Sequence, residues 1–155
     1  MRKRRLLPRN IILLILAILV IGSLFWTLLS FLSPGHQAKK TVEEFYTYEQ
    51  EGEFGDSWEL LHSQMKVKFP KGPYVQDRAH VFMGHFGAET FSYTIDKPEK
   101  IERWKMEEGV SPLKVVYKMT VTQSYKGKYG AFDFRQYVFV TKEKGEWKIL
   151  WDYKK

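Results

Sequence analysis

The sequence predicts an α+β protein: an apolar N-terminal transmembrane helix, then three helices packed on a curved antiparallel sheet of four to five strands. Three observations predict it. Residues 11–32 carry no charge. Apolar residues then recur at three- and four-residue intervals between residues 38 and 86. From Phe91 onward the period drops to two, and that change from helical to extended periodicity marks helices followed by strands.

The uncharged run 11–32 (IILLILAILVIGSLFWTLLSFL) would measure roughly 33 Å at about 1.5 Å per residue, against a hydrocarbon core of about 30 Å. Arg2, Lys3, Arg4, Arg5 and Arg9 precede it without an acidic residue. The expectation is a basic cytoplasmic tip at 1–10, a single-pass anchor at 11–32 and a C-terminal part outside the cell membrane. A cleaved signal peptide is the rival reading. Its apolar region is usually shorter than this one, and no A-x-A precedes Ser33. Whether the anchor is ever cleaved stays open.

This organisation changes the meaning of the charge. The chain carries a formal +7, but five of its 25 Lys and Arg lie in the tip, leaving 20 against all 18 Asp and Glu in the remainder. The basic balance is thus mostly a topology signal, and no zinc-finger, RRM or helix-turn-helix pattern argues for nucleic acid. The chain has no cysteine, so disulfides and thiolate metal sites are excluded. The outer domain, about 120 residues long, must be held by its own core.

Within that domain, Ser33-Pro34-Gly35 breaks the helical run, and 33–37 reads as a short linker leading into a domain at 38–155. Ala38, Thr41, Val42, Phe45 and Tyr48 form the apolar stripe of a first helix over 38–51, with Lys39–Glu43 and Lys40–Glu44 as i,i+4 pairs on its wet side. Gly52 suits the helix C-cap, and Asp56-Ser57-Trp58-Glu59 reads as a capping box opening a short second helix with Trp58, Leu61 and Met65 inward. KFPKGP, at 68–73, reads as a loop. Val75, Ala79, Phe82 and Phe86 carry a third helix over 74–86. Alternating segments around Phe91–Ile95, Leu113–Val121, Phe132–Val140 and Trp147–Tyr153 read as strands, with 99–106 as a weaker one, and YKGKYG and EKGE as hairpin turns.

This order of elements resembles the nuclear-transport-factor-like (cystatin-like cone) superfamily, in its membrane-anchored extracytoplasmic bacterial version. The resemblance is carried by EEFYTYEQEGEFGDSWELLH, by a third helix ending FMGHFG, and by paired long strands ending EWKILWDY. It implies a cone-shaped fold over about residues 36–155. It implies little about function, because members include enzymes, carriers, docking modules and inactive scaffolds.

Glu49, Glu51, Glu53 and Asp56 form an acidic corner. A calcium loop would need a bidentate Glu at its twelfth position, but the twelfth residue from Glu49 is Leu60 and from Asp56 is Val67. The corner therefore reads as a turn with caps, and no metal site is expected. His80 and His85 lie about 140° apart around a helix, poor geometry for sharing one ion. Asp77 and His80, three residues apart, could form an orienting acid–base pair facing the cone cavity. No GxSxG, HExxH, P-loop or GxGxxG is present. Trp104 and the strand positions Arg135, Tyr137 and Phe139 mix charge with large apolar groups, which suits contact with a partner.

The expectation is a non-enzymatic, single-pass membrane protein presenting a docking or scaffold domain to a protein or cell-envelope component, without cofactor. The alternatives are a binder of a small apolar ligand and an isomerase- or dehydratase-type enzyme using the cone cavity. A cavity packed shut between the third helix and the sheet would favour docking. An open, polar one would favour the alternatives.

Overall fold

The computed structural model describes residues 9–31, 33–81, 87 and 90–152, without the side chains at 9, 12, 28, 30 and 31. Two compact units emerge, residues 1–33 and 34–155.

The first unit is helix α1, Arg9–Phe31. Its described leucines, isoleucines and Trp26 are exposed, and the Ser23 and Thr27 hydroxyls donate back to the carbonyls of Val20 and Leu24. Among the described residues, no helix is long and apolar enough to cross a membrane. That overturns the transmembrane helix expected at 11–32.

The second unit is α+β. Helix α2 spans Pro34–Glu51, α3 Phe54–Glu59, α4 Ser63–Lys68 and α5 Lys71–Arg78. Five antiparallel strands follow: β1 Phe91–Ile95, β2 Glu99–Trp104, β3 Leu113–Gly127, β4 Gly130–Glu143 and β5 Glu146–Trp151. The sheet runs β1-β3-β4-β5, and β2 also pairs with β3. β1 takes the far half of the long β3 (Phe91 opposite Tyr125) and β2 the near half (Glu99 opposite Lys118). The weak candidate at 99–106 is therefore a true strand. Both expected hairpins form, Gly127 facing Gly130 and Glu143 facing Glu146.

Four local readings are corrected. The linker 33–37 is mostly helix, because Pro34 at the first helical position needs no N–H partner there. The second helix is two short helices. Between them Leu61 forms a parallel bridge with Ile149, in which His62 N donates to Ile149 O and Ile149 N to Leu60 O. Backbone groups committed to the sheet edge cannot also continue a helix. The third helix starts earlier, at Lys71, with Pro73 tolerated in its first turn. Its predicted end at 82–86, including His85, lies outside the described residues. Finally, the α3 N-cap is Glu53, without a side-chain bond, and Asp56 falls inside the first turn. Gly52 does take the left-handed conformation (φ 77°) that ends α2.

The core sits between α2 and the sheet. Ala38, Val42 and Phe45 of α2 are fully buried, as are Val121, Val138, Val140, Ile149 and Leu150. Each large apolar side chain removed from water contributes about 1.5–3 kcal/mol. Phe45 also meets Trp151 edge-on, with centroids 6.0 Å apart. Tyr46 donates to Gln136 Oε1 of β4 at 3.1 Å, which fixes α2 over the middle of the sheet.

Candidate functional site

Helix α5 carries Tyr74 and Arg78 one turn apart, so both occupy one face. That face looks onto the C-terminal end of β5. A cavity of about 430 Å³ lies there, lined by Phe69, Tyr74, Asp77, Arg78 and Val81, by Gln136 of β4, and by Trp151 and Asp152.

One wall rests on a buried polar network. Glu49, near the end of α2, is 7% exposed. Its Oε2 lies 3.3 Å from Arg78 Nε, while Oε1 accepts from Ser57 Oγ at 2.5 Å and from Tyr74 OH at 2.7 Å. A carboxylate buried this deeply needs such partners, because an unpaired buried charge costs several kcal/mol. Burial alone would lower the pKa of Arg78, but the Glu49 carboxylate together with the Tyr74 and Tyr46 phenols raises it and holds the guanidinium charged. Burial pushes the Tyr74 phenol well above its ordinary value, and the phenols of Tyr46 and Tyr125 likewise. All three stay protonated donors across the physiological range.

The guanidinium of Arg78 also lies over the rings of Tyr74 (5.3 Å to the centroid) and Trp151 (5.5 Å). Phe69 packs edge-on against both rings. These rings and Val81 form the apolar part of the cavity, and Arg78, Gln136 and the two aspartates form the polar part. Trp151 is 7% exposed, and among the described residues its Nε1–H has no hydrogen-bond partner. Leaving such a donor unmatched costs about 1–3 kcal/mol.

The sequence candidates divide. Asp77 lines the cavity, but His80 is exposed and is not among the lining residues. Arg135 and Tyr137 are exposed on β4, with Lys118 Nζ 4.3 Å above the Tyr137 ring. Trp104 and Phe139 are instead buried and stacked on each other, centroids 4.1 Å apart and planes 21° apart. The acidic corner also separates: Glu49 turns into the core, while Glu51, Glu53 and Asp56 stay exposed. Among the described residues no group of three or more His, Asp or Glu is placed to hold a metal ion. His62 caps α4, its Nδ1 accepting from Gln64 N.

Sequence reasoning missed Arg78, Tyr74 and Trp151. A signal for Arg78 existed: it lies three residues after Val75 and four before Phe82, so an arginine stands on the apolar stripe of its helix. A charged residue at such a position asks for a buried partner. No signal in the sequence identified Glu49, 29 positions away, as that partner.

No family model matches this chain, and no match is found among curated proteins.

Proposed function

We propose that residues 34–155 form a non-catalytic binding domain that takes a small ligand with an apolar body into the cavity beside α5. The observation that supports it most is the cavity itself: about 430 Å³, walled by Phe69, Tyr74 and Trp151 and braced by the Arg78–Glu49 pair. Ligand pockets are commonly of this size and build, with apolar walls and a few placed polar groups. The bracing network argues against catalysis, since the partners of the Glu49 carboxylate are all structural. His80, the expected base, is not among the lining residues. Exposed apolar side chains on α1, with basic residues ahead of it, support a location at a membrane.

The test uses the full chain and the neutral dye N-phenyl-1-naphthylamine, which brightens in apolar sites. Val81→Trp fills the cavity and should remove a saturable component of the signal, while Tyr137→Ala, at an exposed position of β4, should not. Identical titrations for all three proteins would sink the proposal.

A second reading is docking of a protein or cell-envelope component through Arg135 and Tyr137, favoured by the 52% exposure of Tyr137. Crosslinks from this strand to one defined partner, lost in Arg135→Glu with Tyr137→Ala, would support it. Crosslinks unchanged by the double substitution would exclude it.

A further inference from the structure

We propose that a second pocket, where α2 begins over the sheet, binds a phosphate monoester carried on an apolar body. The site is independent of the cavity beside α5, with which it shares no lining residue.

The pleat of the sheet builds its floor. Lys142 of β4 stands opposite Trp147 of β5, and Tyr117 of β3 stands opposite Val140. Residues two apart on a strand share a face, so Tyr117, Lys142 and Trp147 lie on the face that carries Val138, Val140 and Ile149 into the core. Those three are fully buried. Beside Pro34, the first residue of α2, the same face leaves Leu113, Val115, Tyr117 and Trp147 only half-buried, around a cavity of about 430 Å³. Trp147 is fixed there, because its Nε1–H donates to Gln37 Oε1 of α2 at 3.0 Å and Tyr117 meets its ring edge-on, with centroids 5.7 Å apart. The indole N–H is thus committed, and the two rings offer apolar contact.

Charge selects the ligand. Lys114 and Lys142 line the pocket, both are exposed, and no lining residue is acidic. Among the described residues neither lysine forms an ion pair. Lys142 Nζ lies instead 5.0 Å from the centroid of the Trp147 ring, a contact that holds the ammonium beside the aromatic wall. The Thr141 hydroxyl is committed to the Val115 carbonyl at 2.8 Å. Two unmatched cations are best met by two negative charges on one group. A carboxylate or a phosphate diester brings one, whereas a phosphate monoester carries about −1.5 to −2 at pH 7, and a lysine ammonium serves phosphate well as a point charge. The apolar body then rests on Leu113, Val115 and the two rings. Pro34 follows closely on the end of the apolar α1 in the chain, so a phospholipid with a monoester headgroup is the source this position favours over a soluble ester.

The test uses the full chain in neutral detergent micelles and follows the ¹⁵N-indole signal of Trp147, assigned with Trp147→Phe. Dioctanoyl phosphatidic acid, dioctanoyl phosphatidylglycerol and phenyl phosphate are titrated in. Phosphatidic acid should shift the signal saturably and bind about tenfold more tightly than phosphatidylglycerol, a diester with a single charge. Lys114→Gln and Lys142→Gln should each weaken phosphatidic acid about fivefold. Both lysines are exposed, so these variants keep the fold. Lys126→Gln, exposed but outside the lining, should leave the affinity unchanged. Phenyl phosphate as tight as phosphatidic acid identifies a soluble ester as the source, and a much weaker phenyl phosphate identifies the lipid. Equal affinities for the two lipids, a Trp147 signal that none of the probes moves, or a loss in Lys126→Gln as large as in the pocket variants overturns the proposal.

Discussion

Arg78 Nε lies 3.3 Å from Glu49 Oε2 across 29 positions of chain, which ties the end of α2 to the end of α5. Both side chains are withdrawn from solvent, and Ser57 and Tyr74 complete the carboxylate's coordination. The pair shapes the cavity wall, because the same guanidinium lies over the rings of Tyr74 and Trp151.

Removing one member should therefore cost more than removing both. Arg78→Met or Glu49→Leu leaves an unmatched buried charge and should destabilise by about 3–5 kcal/mol in urea unfolding. The double variant should lose clearly less than the two losses added together. Additive losses would mean that the pair is not coupled.

Acid should weaken the domain in two stages. Burial lowers the pKa of His62, despite the opposing pull of Glu143. A histidine depressed in the folded state contributes stability that is complete above its unfolded value, about 6.5, and is lost as pH falls below it. Burial alone would raise Glu143, but its bonds from Ser63 and the nearby His62 hold it below the usual carboxylate range. Its contribution is present above the ordinary carboxylate value of 4.5 and falls away on further acidification. His62→Asn keeps an acceptor for Gln64 N and removes the titration, so its stability should flatten between pH 6.5 and 5 while the lower stage remains. An unchanged slope in that range would contradict the assignment.

The neighbouring β4 candidates Tyr137 and Phe139 should behave oppositely. Phe139→Ala unstacks Trp104 inside the core and should cost about 3–5 kcal/mol. Tyr137→Ala, at a half-exposed position, should stay within about 0.5 kcal/mol of wild type. Denaturant midpoints of the two variants decide this, and equal midpoints would contradict the burial difference.

The β4–β5 hairpin holds a removable strain. Lys144 (φ 52°) and Gly145 (φ 91°) are both left-handed between the paired Glu143 and Glu146, as a two-residue type I′ turn requires. Asparagine adopts that conformation more readily than lysine. Lys144→Asn should raise the melting temperature of the domain, and a lower one would count against the turn assignment.

Much of this architecture was legible because periodicity reports which face of an element is covered. The stripe Ala38, Val42, Phe45 and the alternation in Met119–Val121 and Val138–Val140 mark residues that the fold buries. What escaped was set by contacts distant in sequence. The Leu61–Ile149 bridge splits the second helix and leaves no local trace. Glu49 looked like one acid among four until Arg78 met it. Trp104 and Phe139 looked like surface candidates because a strand's outward alternation does not reveal what covers it; here each covers the other. The apolar run at 11–32 suggests a membrane span by its length and lack of charge, yet among the described residues no helix is long and apolar enough to cross a membrane.

The most direct test of the cavity as a binding site is the ¹⁵N-indole NMR signal of Trp151 in the full chain. Trp151→Phe assigns the signal, and N-phenyl-1-naphthylamine is then titrated in. The account predicts a saturable shift of the Trp151 resonance with little change at Trp104, which stacks with Phe139 outside the cavity lining. A Trp151 resonance that stays in place at dye concentrations saturating the fluorescence would contradict it.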